Sequence, residues 1–382
     1  MRKSNRSRSR SCWSHRPTES TDRHPSATKA GACPDTRNRW ALLLAGVGLL
    51  LAVACGREPP PIPQVPLPPA AKVTVADRTD LPGRMIIARE ADLWLRRGGS
   101  IDRLTQVAVG ALARDPAWSP QGDSIAYVHS PPPNQAQPFA DLYQLQPGGP
   151  APTRILEHDA EGVVYDSPAW LPDGKALLFG RFAPIYREGR YVGADTSVER
   201  TELGRTERRA IVRNAAQPAL SPDGRVLAYV VEQGATNTIL NVAAADGSAA
   251  RALVPVDRFA LIRAPRFSPD GRRIAFAAVL ASATTGGVPP TSSSPLDWLR
   301  PAVAHAHGIP WEIYTVDLDG GNLKQLTQIQ EDAPTPAWSP DGSQVAFMGE
   351  FGLYLMSADG SGLVRLSDRG GYGGFDWTGK GG

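Results

Sequence analysis

The stretch Pro336-Ala-Trp-Ser-Pro-Asp-Gly-Ser-Gln-Val-Ala-Phe-Met348 is one of five near-copies in a chain of 382 residues. The others begin at Pro116 (PAWSPQGDSIAYV), Pro168 (PAWLPDGKALLFG), Pro218 (PALSPDGRVLAYV) and Pro265 (PRFSPDGRRIAFA). In each, a proline presets φ for a tight turn and a glycine accepts the positive φ that ends it. Alternating β-formers follow the turn, the period of a strand. A second run follows in turn, as in Asp141-LYQLQPGG, Thr238-ILNVAAADG, Glu312-IYTVDLDGG and Gly352-LYLMSADG. Asp-Gly at its end signals a two-residue hairpin. A short third run (Thr153-RILEH, Ala250-RALV, Leu323-KQLTQ, Leu363-VRLSD) closes the unit.

Each unit therefore reads as four strands, a to d. The ring-filling residue is the aromatic of strand a, at Trp118, Trp170, Phe267, Trp338 and Trp377. The C-terminal Gly374-FDWTG supplies a first strand with nothing after it, and Arg84-MIIARE, Asp92-LWLRR and Ile101-DRLT supply strands b, c and d without an a. Pairing Phe375–Thr378 with Met85–Glu90 would complete a sixth unit and leave no open edge. The expectation is an all-β, six-bladed β-propeller over residues 84–382.

Composition agrees. The chain is 41% hydrophobic and 21% charged, enough apolar content to exclude wholesale disorder. Gly (38) and Pro (36) each approach one residue in ten, which disfavours long helices. The net charge of +3 averages two unlike parts. Of 41 basic and 38 acidic residues, ten and three fall in residues 1–40, so 31 and 35 remain beyond the uncharged stretch 41–54. The basic charge belongs to the leader, and nucleic-acid binding is not expected.

Residues 1–54 read as a basic leader and signal peptide whose apolar run, Trp40–Ala54, is too short to span a bilayer. It ends Leu51-Ala52-Val53-Ala54-Cys55, which resembles a bacterial lipobox with Cys55 as the lipidated residue. That resemblance implies an extracytoplasmic protein anchored to the bacterial membrane by lipid, periplasmic or on the outer surface. Cys55 is also the last cysteine, so no disulfide can form beyond it. Residues 55–83 then read as a spacer, with seven prolines in the eleven residues 59–69 favouring an extended polyproline conformation.

The repeats resemble those of the TolB-type six-bladed propeller, with its WD-like motif carrying Pro-Asp-Gly. The matches are Pro120, Gln121, Gly122; Pro172, Asp173, Gly174; Pro222, Asp223, Gly224; Pro269, Asp270, Gly271; and Pro340, Asp341, Gly342. Gln121 and Leu171 depart from the motif, and Thr378-Gly379 stands where the final turn would be. TolB also carries an α/β domain ahead of its propeller, where this chain has the proline spacer.

Loop length locates the expected site. The motif glycines lie 52, 50, 47 and 71 residues apart, and the surplus falls on b–c loops: Ser130–Ala140, Phe182–Thr196 and, in blade five, Ser282–Trp311. These share one face with the d–a connections, and loop elaboration on one face of a rigid scaffold is how binding sites are commonly built. The expected rim comprises Arg114, Asp115, Asp166, Ser167, Gln217, Arg263, Thr335 and Asp376; Trp298 and Trp311 in the insertion read either as an exposed partner-contact pair or as part of a segment that folds down and caps the propeller's own channel. Mixed charge there suits a polar or zwitterionic ligand better than a polyanion.

Beyond the leader, the four histidines (His129, His158, His305, His307) map to the same face, but without carboxylates at ligand spacing; no metal and no other cofactor is expected. Some TolB-like propellers that are polysaccharide lyases do hold a metal with histidines. Neither a G-x-S-x-G elbow nor a nucleotide-binding fingerprint occurs. The expected function is a monomeric, non-enzymatic binding or scaffold module for a cell-envelope protein, peptide or glycan. The alternative is a polysaccharide lyase or hydrolase with its site at the channel mouth.

Overall fold

The computed structural model describes residues 73–75, 78, 80–132, 139–233, 237–284 and 310–380. The leader, Cys55, the proline run, Trp298, His305 and His307 lie outside the described residues. The described chain forms six sheets, each built on an antiparallel meander of four strands, one of them with a fifth strand added in parallel. First strands are Leu112–Trp118, Val164–Trp170, Ala216–Leu220, Phe259–Phe267 and Thr335–Trp338 in blades two to six. They touch one another in order around a closed ring.

Blade one is built from both ends of the propeller. Phe375–Thr378 pairs antiparallel with Arg84–Arg89, in the register Arg84↔Thr378 to Ile87↔Phe375. Closure is therefore as the repeat count requires. A second closure was not legible: Thr74–Val75, which the sequence places in the spacer, pairs in parallel with Val364–Arg365 of the last strand of blade six. It covers part of an outer edge that would otherwise present unpaired backbone groups.

The core lies in six apolar wedges, one between each pair of neighbouring blades. Alternation along each strand explains this, because successive side chains enter opposite wedges. In blade six, Phe347 is fully buried and stacks on Tyr354 at 4.8 Å, while Phe375 fills the wedge between blades six and one. Truncating an aromatic in such a wedge costs about 3–5 kcal/mol.

The strand-a tryptophans do more than fill space. Trp170 Nε1 donates to Ala117 O of the preceding blade at 3.0 Å, and Trp338 Nε1 to Arg266 O at 3.1 Å. Trp377 Nε1 donates to Pro82 O at 2.7 Å, and Arg84 stacks 4.5 Å over Trp118.

The Pro-Asp-Gly turns make a closed floor. In three of them the serine hydroxyl bonds the aspartate two residues on, at 2.6 Å in Ser221–Asp223, Ser268–Asp270 and Ser339–Asp341. Each glycine sits against the turn of the preceding blade. A Cβ on Gly224 would stand 2.7 Å from Pro172, and one on Gly379 2.7 Å from Pro340. Gly379 thus occupies the place of the missing sixth turn. Arg84 completes the floor there by donating to the carbonyls of Gly122 and Lys380.

Deleting residues 374–382 should remove strand a of blade one and leave Arg84–Ile87 unpaired. The expected outcome is loss of the cooperative thermal transition, read by circular dichroism. A truncated chain that melts like the intact one would mean that the ring closes elsewhere.

Candidate binding site at the mouth of the axis

Four first strands carry the same irregularity. Asp115, Ser167, Gln217 and Ala264 each precede the strand-a proline with φ of 50°, 46°, 52° and 49°. The a–b register slips at each of these points, between Arg114 and Ala117, Asp166 and Ala169, Ala216 and Ala219, and Arg263 and Arg266. A proline cannot donate to the ladder, and a bulge removes it from the pairing. The rim residues lie inside the first strands, because each strand continues upstream past its bulge, as in Val164–Trp170 and Phe259–Phe267.

The N–H groups freed by the bulges are taken up by the preceding blade. Asp115 N donates to Gly373 O at 2.6 Å, and Ser167 N to Asp115 Oδ2 at 3.4 Å. The Gln217 amide is directed at Asp166, and Ala264 N donates to Gln217 Oε1 at 2.6 Å. Asp115, Asp166 and Gln217 are thus blade-to-blade staples as well as rim residues.

Two layers of side chains result. The outer layer holds Arg114, Asp166 and Arg263, two residues before the proline of blades two, three and five. Arg114 pairs with Asp115 and donates to Tyr165 O at 3.4 Å. The inner layer, one residue past the proline, is alanine in four blades (Ala117, Ala169, Ala219, Ala337). The exceptions are Arg266 and Asp376. Asp376 therefore lies deeper than the rim where it was expected, within Phe375–Thr378, and accepts from Trp118 N at 2.8 Å. Thr335 is buried at the start of its strand and lines no open surface.

Sequence reading missed three contributors. Arg266 breaks the Pro-Ala-aromatic pattern as Pro-Arg-Phe, a signal present in the repeat alignment itself. Asp332 and Tyr372, joined by a 3.0 Å hydrogen bond, come from d–a connections that share no pattern.

For Trp311 the expectation of an exposed contact is corrected. Trp311 is 8% exposed, packs in the wedge between blades five and six and forms a β-bridge with Glu331. It belongs to the core and is not an exposed partner contact. The expected insertion in blade three is a two-stranded extension of the sheet, Ala176–Arg187 against Arg190–Glu202, turning at Glu188-Gly189. His158 stacks on Phe139 at 3.9 Å, and its Nδ1 lies 2.8 Å from Asp141. His129 lies 5.1 Å from the Tyr143 ring.

Electrostatics mark this end. Burial pushes the Asp166 carboxyl up to about 6, the Asp115 charge adds to the rise, and Arg114 with the Ser167 and Gln217 hydrogen bonds holds it back. Gly180 lets the carboxylate lie close, since a Cβ there would stand 2.4 Å from Asp166 Oδ1. Burial likewise raises Asp376 and lowers Arg263 and Arg266. All four are partly buried and keep some accessible surface.

No family model matches the chain. TolB from Acinetobacter baumannii superposes with a TM-score of 0.53 at 18% identity, covering 77% of this chain and 66% of that one. Putative TolB from Agrobacterium tumefaciens gives 0.51 at 18%, covering 78% and 92%. The fold is a TolB-like six-bladed propeller. Among curated proteins, the uncharacterized peptidase YuxL of Bacillus subtilis (strain 168) is 23% identical over 203 residues, 50% of this chain. The match spans only 31% of that protein's length.

The raised Asp166 carboxyl has a stability consequence of definite sign. Its folded value lies above the unfolded one, so stability present below pH 4 is lost as pH rises toward about 6. Two units correspond to about 3 kcal/mol at most, and partial solvent access lowers that to about 1–2 kcal/mol. Asp166→Asn should therefore raise the melting temperature at pH 8, with the gain shrinking by pH 4. An equal effect at both pH values would contradict this.

Proposed function

We propose that this chain is an extracytoplasmic binding module, tethered by lipid at Cys55, that holds a cell-envelope protein, peptide or glycan at the mouth of the propeller axis. One observation carries the reading. Of the nine large hydrophobics exposed among the described residues, seven lie on b–c or d–a connections: Val109, Ile185, Tyr186, Tyr191, Val192, Val256 and Phe351. Single exposed apolar residues need no explanation, but their concentration on one end does. That end surrounds the charged rim. The opposite end is the repetitive floor, whose aspartates are engaged with their own turns.

A second reading, a lyase or hydrolase, is favoured by the Asp115–Asp166 neighbourhood. A carboxyl raised to about 6 beside another carboxylate suits general acid–base work. An enzyme would return its ligand altered and lose that turnover in Asp166→Asn; a binding module would return it unchanged.

A photoactivatable amino acid placed at Val109 or Phe351 tests the binding face in cells. Specific adducts are expected from these sites and not from Arg225, which is exposed on the floor. Equal labelling from both ends would sink the assignment. In the same cells, Cys55→Ser should move the protein from the membrane to the soluble fraction, since a lipid chain contributes about 0.8 kcal/mol per buried CH₂.

A further inference from the structure

Two guanidinium groups of blade five, those of Arg263 and Arg266, have no acidic partner among the described residues. Among the described residues Arg263 makes no hydrogen bond or ion pair, and its Nε is buried without an acceptor. Its guanidinium lies 6.0 Å from the Trp311 ring. Three residues on, across the bulge, Arg266 donates only to Pro265 O, at 2.9 Å. The two cations repel each other, and burial disfavours both charges.

The acids nearby have other commitments. Asp115 pairs with Arg114 and receives Ser167 N, Asp332 accepts the Tyr372 hydroxyl, and Asp376 accepts the amides of Trp118 and Trp377. They act on Arg263 and Arg266 only through space. A guanidinium enclosed by protein without a paired anion is costly, and its fork of donors matches a carboxylate bidentately.

We propose that Arg263 and Arg266 form a receptor for a single carboxylate, supplied by an acidic side chain or C-terminus of an extended peptide entering at the d–a end. The surrounding Asp115, Asp332 and Asp376 argue for a monoanion, because a phosphate or polyanion would be repelled by three carboxylates as it arrived. Trp311, buried in the neighbouring wedge, stands 6.0 Å from the Arg263 guanidinium and backs it from the core side. The site needs no movement of the floor.

This inference rests on the mouth being the binding face, and its test separates the two. Calorimetric titration of the full chain would use acetyl-Ala-Glu-Ala-amide for the side chain and tri-alanine for the C-terminus. The controls are acetyl-Ala-Gln-Ala-amide, tri-alanine amide and sodium glucuronate. At least one of the first two should bind, and its uncharged control should bind at least tenfold more weakly. Arg263→Gln should abolish that difference. Arg263→Lys, which keeps the cation but loses the fork, should retain binding at reduced affinity and covers the case in which Gln unfolds the ring.

No heat from either acidic peptide at 10-mM-scale concentrations (about 4 kcal/mol of binding is visible at millimolar Kd) overturns the proposal. So does an unchanged acid-to-amide ratio in Arg263→Gln, or binding of glucuronate alone. If adducts still form at Val109 and Phe351 in those cases, the binding face stands and only the carboxylate receptor falls.

Discussion

The N–H group that each strand-a bulge releases has to be accepted by something, and in this ring the acceptor is the preceding blade. Neighbouring blades otherwise meet through apolar wedges, which are strong but non-directional. The hydrogen bonds from Asp115 N to Gly373 O and from Ala264 N to Gln217 Oε1 add direction. They fix where one first strand stands relative to the next. Left unmet, each buried donor would cost about 1–3 kcal/mol. Asp115, Asp166 and Gln217 are therefore polar for a structural reason before any ligand is considered.

That constraint explains why the two ends of the propeller differ so much. At the floor the repeat is satisfied locally: serine, aspartate and glycine close the turn, and each glycine rests on the preceding turn. Such a surface has little freedom to vary. At the other end the bulges force polar side chains toward the axis, while the b–c and d–a connections are free to lengthen. Blade three lengthens into a hairpin carrying Tyr186 and Tyr191 at 6.0 Å. Polar demand near the axis and free loop length around it together make a face suited to recognition.

Much of the fold was legible because its signals are local. Pro-Asp-Gly, Asp-Gly and the strand-a aromatic each sit within a few residues of what they determine, and the complementary end fragments fixed the closure. What could not be read depends on partners a blade or more away. Thr74–Val75 sits in a run of only three β-formers, Val73-Thr74-Val75, and only the exposed edge of blade six gives it a place. Trp311 looks like an anchor in a loop, yet it starts the return strand and is buried by blade six. Arg263 was visible as a charge at the rim, but that it stands without an acidic partner among the described residues follows from the commitments of Asp115, Asp332 and Asp376. Arg266 was in plain view, as the one charge in a Pro-x-aromatic series otherwise filled by alanine up to Asp376.

Residue-resolved amide exchange tests the stapled ring most directly. Ala264 N–H lies outside the a–b pairing, and the side chain of Gln217 is its acceptor. It should exchange as slowly as its ladder neighbours in the intact protein. In Gln217→Ala it should exchange at least tenfold faster, while the amides of the floor turns stay unchanged. Fast exchange at Ala264 in the intact protein, or no response to Gln217→Ala, would contradict the claim that the blades are held by the bonds their bulges release.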